Sequence, residues 1–303
     1  MSGAKILALG AGEGWHANEL RKAAARHQCK IAFRDYESLY AKIICHDQVE
    51  LGCGTFSPDA KRIDDFDAVL TRTMPTGSLE KITFRLAVLH SLGANAVPVV
   101  NAPSSLELAI DKFATLAHIA RLGFAVPDTI VVQSRGEAVV AFKRLGGDCI
   151  VKPIFGGEGR GVMRIQDPQL AWYAFSTLEQ IDAAFYIQAF VPPGGRDTRL
   201  LVIGDRIVAA RRQNDTDFRT NFSQGARTIA IEPTNEQIDM AHHITSSLGL
   251  TIASVDMLDS ADGPPRVLEV NGVPGWKGLQ SVCDHDIASL IIETVLQTKE
   301  ANQ

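Results

Sequence analysis

No run of apolar residues approaches the roughly 20 needed to cross a bilayer, so the 303-residue chain is not expected to span a membrane by a helix. Cysteine pairing is equally absent. The five cysteines (Cys29, Cys45, Cys53, Cys149 and Cys283) are scattered, odd in number and without a Cys-x-x-Cys pair, which argues against disulfides and a zinc site. Cys45-His46 with Cys53 is the nearest approach to a metal cluster, and its spacing matches no zinc module. An excess of one charge is missing too: 30 basic side chains stand against 35 acidic ones, so overall charge suggests neither nucleic acid nor an anionic membrane. The eight histidines are dispersed, and none sits in a Ser/His/Asp or Cys/His arrangement. There is no repeat and no low-complexity linker. Residues 1–10 run straight into a strand pattern rather than a targeting segment, and the expected location is cytoplasmic.

What is present is organised by hydrophobic spacing. In the N-terminal third, strands are expected at 5–9, 30–34, 68–71 and 97–100, with helices at 18–27 and 78–93. The second helix has Ser78 as N-cap, Glu80 in its first turn and Gly93 beyond its end. This order argues for a small open parallel sheet with helices on its faces. The first turn, Gly10-Ala-Gly12-Glu-Gly14, falls short of a dinucleotide-binding fingerprint, because the position for the third glycine holds Trp15. From about residue 103 the texture changes. One helix, capped by Ser104 or Ser105 and carrying Asp111-Lys112, is expected to run through Leu122, and a second covers 137–145. Strands then dominate, at 149–153, 161–165, 185–191, 198–203, 206–212, 228–231, 252–258 and 266–271, with helices near 167–177, 235–248 and 286–298. The expected fold class is α/β followed by α+β, divided into an N-terminal domain over 1–100, a central part over 101–190 and a C-terminal part over 191–303.

Three constellations could carry chemistry. In Lys152-Pro-Ile-Phe-Gly156-Gly157-Glu158-Gly159-Arg-Gly161, four glycines within six residues form a loop able to bring backbone N–H groups onto an anion, with Lys152 as a point charge beside it. A mobile surface hairpin with an incidental lysine is the bland alternative. The second constellation begins with Val267-Leu-Glu269-Val-Asn271, a buried-looking strand interrupted by an acid and an amide that alternation puts on one face. A symmetric turn at Asp262-Gly263 would set Asp256 directly across from Glu269, and two carboxylates with an amide oxygen suit magnesium. A carboxyl pair sharing a proton in a solvated hairpin is the alternative. The third is the basic stretch from Arg196 through Asp197, Arg199, Arg206, Arg211 and Arg212 to Asp217-Phe-Arg219-Thr220-Asn221. Its arginines could bind phosphate or carboxylate in a cleft, or could simply lie on a solvated sheet face. A nucleoside triphosphate with magnesium would use all three constellations together.

In this order and spacing, Asp111-Lys112, Lys152 before the Gly-rich loop, Asp197-x-Arg199, Asp217-Phe-Arg219-Thr-Asn221, and Asp256 with Glu269-Val-Asn271-Gly-Val-Pro-Gly resemble the ATP-grasp ligases. The resemblance is closest to their RimK branch, whose founding member adds glutamate to the tail of a ribosomal protein, and it covers roughly 101–292. It implies an ATP-grasp fold with ATP bound between two α+β subdomains, behind a Rossmann-like N-terminal domain. It further implies that Lys112 and Lys152 contact the phosphates, that the loop containing Gly156, Gly157, Glu158, Gly159 and Gly161 closes over them, and that Asp197 holds the ribose. Gln188, Ala189, Phe190 and Val191 would form the adenine hinge; the branch usually has Glu where Ala189 stands, so the base would be read by backbone. Arg219, Thr220 and Asn221 would lie by the phosphates and metal, Arg211 or Arg212 would reach the γ-phosphate, and Asp256, Glu269 and Asn271 would hold magnesium.

The implied activity is ATP-dependent formation of an amide through an acyl phosphate, which requires no protein nucleophile. The expected partners are ATP, an amino acid (L-glutamate) and an acceptor, with no nucleic acid and no membrane, and with a homo-oligomer left open. The segment from Arg72 to Glu80 is similar to RimK-like proteins associated with tetrahydromethanopterin-type cofactors and could line the acceptor pocket, favouring a pterin or furan cofactor. A peptide or protein C-terminus is the second acceptor class, and a non-catalytic nucleotide-binding module is the competing kind of protein.

Overall fold

The computed structural model describes residues 3–44, 49–56, 61–94, 97–157, 159–221, 225–261 and 263–301. Glu158, Asp262, Cys45 and His46, which figure in the sequence reading, lie outside them. The strand Lys5–Leu9, apolar after its first residue, occupies the middle of a four-stranded parallel sheet ordered Lys30–Arg34, Lys5–Leu9, Ala68–Thr71, Val99–Val100. Alternation decides which helix each face receives. Ile6 and Leu70 pack on Leu20 and Ala23 of helix Trp15–Arg26, while Leu7, Leu9 and Val69 pack on Val88, Leu89 and Leu92 of helix Leu79–Ala94.

Two features depart from expectation. A three-stranded antiparallel sheet, Leu39–Ile43, Val49–Cys53 and Lys61–Arg62, projects between the second and third parallel strands. Its strands are short, and one face carries the cross-strand pair Lys42 and Glu50, so no continuous apolar run marks them. The helix expected to run through Leu122 is instead two helices, Pro103–Ile110 and Lys112–Arg121. Asp111 breaks it: with φ −90° and ψ 106°, it accepts hydrogen bonds from the amides of Phe113 (2.8 Å) and Ala114 (3.0 Å). An aspartate satisfies the orphan amides of a helix start better than it continues a helix. Lys112 therefore occupies the first turn of a new helix.

The central antiparallel sheet is ordered Met163–Ile165, Cys149–Lys152, Phe185–Ala189, Thr129–Val132. Cys149, Val151 and Ile187 pack against Ala138, Phe142, Ala171 and Phe175 of helices Arg135–Arg144 and Pro168–Gln180. Ile150, Lys152 and Gln188 point away from those helices into a cleft. Opposite stands a five-stranded antiparallel sheet ordered Arg227–Ala230, Arg206–Gln213, Arg196–Ile203, Ile252–Leu258, Arg266–Asn271. One face of that sheet is divided in two. Leu201, Ile203, Val208, Ala210 and Ile252 pack with Ile6, Leu20 and the C-terminal helix Ile287–Ala301. The same face, further along the strands, carries Asp197, Arg199, Arg212 and Asp256. No helix among the described residues is long and apolar enough to cross a membrane.

Candidate active site

Register alone assembles an ionic array on that face. Asp197 is paired across strands with Arg212, Arg199 with Asp256, and Asp256 with Glu269. Cross-strand neighbours come close enough for their side chains to meet. Arg199 donates to both oxygens of Asp256, at 2.8 and 2.6 Å. Arg212 donates to Asp197 Oδ1 at 2.7 Å, to Asp197 Oδ2, and to Asp256 Oδ2 at 2.8 Å. The Thr220 hydroxyl donates to Asp197 Oδ2. Asp197, Asp256, Arg212 and Thr220 are all buried. Burial pushes the Asp256 carboxyl up, but the Arg199 and Arg212 guanidiniums outweigh it and hold its pKa at about 2. For Asp197 burial prevails over its single guanidinium, and its pKa is raised.

The contacts locate three expected site residues. Asp256, expected as a magnesium ligand, accepts guanidinium hydrogen bonds on both of its oxygens. Asp197, expected at the ribose, has 0% exposure and is tied to Arg212 and Thr220 in the floor of the cleft. Arg211 points to the other side of its strand from Arg212, is exposed, and faces Asp259 at 3.8 Å, so of the two neighbouring arginines only Arg212 lines the cleft.

The opposite wall supplies two lysines that form no ion pair among the described residues. Lys152 is buried at the end of its strand, where its ammonium donates to Gln188 Oε1 (3.1 Å) and lies 5.0 Å from the Tyr186 ring centroid. Gln188 is fixed in turn by donating to the Thr129 hydroxyl at 2.9 Å. Burial brings the Lys152 pKa down to about 8, against the pull of Glu269. The Lys112 ammonium reaches the carbonyls of Ile154 (3.2 Å) and Gly156 (2.5 Å), anchoring the base of the Gly-rich loop; burial lowers its pKa as well, again opposed by Glu269. Sequence reasoning did not find the Gln188 side chain as the holder of Lys152, although a glutamine inside an otherwise apolar strand was a signal.

The cleft encloses about 100 Å³ between the two sheets. Gly156, Gly157 and Gly159 line it from the loop; Gln188, Ala189, Phe190 and Val191 from the hinge; Arg219, Thr220 and Asn221 from the segment after the fourth sheet's basic strand; and Lys112, Lys152, Asp197, Arg212, Asp256 and Glu269 from the two walls. Phe218 and Leu268 join them, unforeseen. Gly161 lies outside this lining; its φ of +71° and the Pro153 ring, 3.0 Å from where a Cβ would stand, account for the glycine. Asn271 also lies outside, its side-chain oxygen accepting from the Val273 amide at 2.9 Å. In the hinge, the amides of Ala189 and Phe190 donate to the carbonyls of Asp128 (2.8 Å) and Asp148 (3.0 Å).

The donors fit magnesium only in part. Among the described residues no three His, Cys, Asp or Glu side chains surround one point. Among the described residues Glu269 is the cleft carboxylate not tied up by a guanidinium, with Asn271 two residues along the same strand face. Few hard oxygen donors beside a phosphate site suit magnesium, which keeps waters and phosphate oxygens as its other ligands, and do not suit a protein-only cage.

A family model described as the RimK-like ATP-grasp domain matches residues 109–295. The chain is 33% identical over 242 residues to a tetrahydromethanopterin:alpha-L-glutamate ligase of Methanocaldococcus jannaschii, covering 78% of this chain and 81% of that one. It is 30% identical over 288 residues to a "Probable alpha-L-glutamate ligase" of Sodalis glossinidius, covering 94% and 93%. Of solved structures, ATP-grasp ligase PsnB complexed with minimal precursor matches with a TM-score of 0.75 at 21% identity, over 97% of this chain and 98% of that one. A RimK domain ATP-grasp protein from Sphaerobacter thermophilus matches with a TM-score of 0.69 at 23% identity, over 97% and 100%. At such identities the solved structures establish the shared fold.

Proposed function

Because the chain belongs to the RimK-like ATP-grasp family and is an ATP-grasp ligase, we propose that it joins the amino group of L-glutamate to a carboxylate of an acceptor of the tetrahydromethanopterin type, at the expense of ATP. The observation that carries the reading is the pair Lys112 and Lys152, held beneath a Gly-rich loop and facing Glu269 across one cleft. Positive charge that has no bound carboxylate among the described residues, beside a glycine loop, is what a polyphosphate requires. The relatives named as tetrahydromethanopterin ligases support the acceptor class.

On this reading the acceptor carboxylate attacks the γ-phosphorus, ADP leaves, and the resulting acyl phosphate is attacked by the glutamate amine, releasing phosphate. Lys112, Lys152 and Arg212 stabilise the charge that moves onto the phosphate oxygens, and the loop excludes water. Arg219 and Asn221 line the cleft beside the loop, where they would hold phosphate oxygens. The hinge from Gln188 to Val191 would read adenine through backbone groups, since Ala189 offers no side-chain acceptor. Glu269, with Asn271, would hold magnesium, which would supply charge neutralisation to the phosphates.

The test is to incubate the protein with ATP, magnesium, L-glutamate and tetrahydromethanopterin and to seek, by mass spectrometry, a product heavier by one glutamyl unit. ADP release should depend on both co-substrates, which a non-catalytic nucleotide-binding module would not show. Glu269→Ala should abolish the product while leaving the circular-dichroism spectrum unchanged, and normal turnover by that variant would remove Glu269 from the metal site. A product formed only with a peptide ending in glutamate would transfer the acceptor assignment to peptide C-termini.

A further inference from the structure

Ser254 has 0% exposure, and among the described residues its hydroxyl has no hydrogen-bond partner. A hydroxyl taken out of water and left unpaired lowers stability, so one inside the site sheet points to a partner met in another setting of the site. Ser254 stands two residues before Asp256 on the strand Ile252–Leu258, on the face that carries the ionic array. Its neighbours on that face are Ile252 and Asp256 along the strand, Leu201 across it on one side and Asn271 on the other. Ile252 and Leu201 are apolar and belong to the core packed against the N-terminal sheet. Both oxygens of Asp256 already accept from Arg199 and Arg212. Asn271 is the neighbour with capacity left: its Oδ1 accepts from the Val273 amide at 2.9 Å, and among the described residues its Nδ2 makes no hydrogen bond.

Two unspent groups, Ser254 Oγ and Asn271 Nδ2, therefore belong to direct cross-strand partners. They are complementary, because a hydroxyl oxygen accepts and a carboxamide nitrogen donates. The setting seen spends Asn271 Oδ1 on the Val273 amide and leaves both groups unpaired. Rotation about the asparagine Cβ–Cγ bond, a soft torsion, offers a second setting in which Nδ2 donates to Ser254 Oγ and Oδ1 is released from Val273. Oδ1 is the atom that a cation shared with Glu269, two residues back on the same strand face, would require.

We propose that Ser254 is a positioning residue of the candidate metal site: its hydroxyl accepts from Asn271 Nδ2 and so holds the carboxamide in the setting that frees Oδ1 to join Glu269 on a divalent cation. The proposal deepens the reading of Glu269 and Asn271 given above and rests on it. Ser254 touches neither nucleotide nor cation and acts through Asn271, as groups behind a metal ligand do when they fix its direction. Its hydroxyl is unpaired in the setting seen and gains its hydrogen bond only in the second, so its removal should weaken cation binding without lowering the stability of the free protein.

Calorimetric titration of the full chain with AMPPNP, once in EDTA and once in excess magnesium, tests this, because the ratio of the two Kd values reads the gain that the cation brings. Ser254→Ala should shrink that gain by about 3- to 10-fold, the range of one lost hydrogen bond, while the Kd in EDTA stays within about twofold. Its urea midpoint without ligands should not fall, which also shows that the variant is folded. Asn271→Ala should shrink the gain as well, and adding Ser254→Ala to it should change the gain by less than about twofold, since the hydroxyl then has no carboxamide to hold. A full gain in Ser254→Ala beside a reduced one in Asn271→Ala overturns the proposal and leaves the metal reading of Asn271 standing. A further loss in the double variant overturns it too, because Ser254 would then act other than through Asn271. An unchanged gain in both single variants, or no gain in the wild type, removes the metal role of Asn271 and the proposal with it. The expected pattern without any amide product from glutamate and an acceptor would uphold the role of Ser254 and count instead against the ligase reading.

Discussion

At Lys152 a single buried ammonium carries two consequences. Its folded pKa of about 8 lies below the ordinary 10.5 because burial disfavours the charged form, so in free protein the lysine is protonated at neutral pH and loses its proton as pH rises through 8. Phosphate binding needs the charged form. Affinity for AMPPNP, followed by titration calorimetry, should therefore fall by up to about tenfold per pH unit above 8. Lys152→Met should bind weakly with no such fall, and a flat wild-type profile across that range would contradict the assignment. The sign for stability is opposite. The unfolded lysine keeps its proton to higher pH, so the cost of burying the charge is fully present below pH 8 and is relieved as pH rises from 8 towards 10.5. Lys152 was legible in the sequence as a charge in an apolar strand. The contrast between Arg211 and Arg212 was not, because identical neighbours are separated only by which side of the strand meets the cleft.

Among the elements, the Gly-rich loop shows that its glycines are not equivalent. Gly159 has φ +72°, and a Cβ there would stand 2.6 Å from Asn221 Oδ1, whereas a Cβ on Gly157 would meet nothing within 4 Å and its φ lies outside the left-handed region. Gly159→Ala should consequently raise the KM for ATP by about tenfold or more through backbone strain and collision with Asn221, with Gly157→Ala staying within about twofold. Steady-state kinetics on the two variants checks this, and equal effects would remove the steric argument. The loop as an element was readable from its composition, but the particular glycine in contact depends on a segment some sixty residues later. The helix break at Asp111 was readable in principle from an aspartate followed by helix-forming residues, but helical spacing continues through it and concealed the cap.

For the whole molecule, Asn101 is the stitch between the N-terminal sheet and the strands that bear the site. This buried side chain donates to the carbonyls of Ile252 and Gly272, both at 2.6 Å, and accepts from the amides of Thr251 and Ile252, both at 2.8 Å. Gly272 follows Asn271 directly, so the amide fixes the site strand against the end of the N-terminal sheet. Asn101→Leu, which leaves four buried backbone groups without partners, should cost at least about 3 kcal/mol in urea unfolding; a loss below about 1 kcal/mol would mean that water replaces the amide. Nothing in the sequence around Asn101 marked it, because all four partners lie about 150 residues or more away.

Residue type and order determined the α/β start, the strand-rich remainder, the Gly-rich loop with its lysine and the pairing of Asp256 with Glu269, since each depends on local spacing, alternation or a short hairpin. Tertiary structure alone decided which charges are free. Asp197 and Asp256 lie on strands beside those of Arg212 and Arg199, and opposite charges on a buried sheet face pair with one another, which residue order alone does not reveal. Among the described residues Glu269, Lys112 and Lys152 escape such pairing because the lysines and the carboxylate meet across a cleft, and an unpaired charge held at a cavity wall is what leaves a folded chain able to bind.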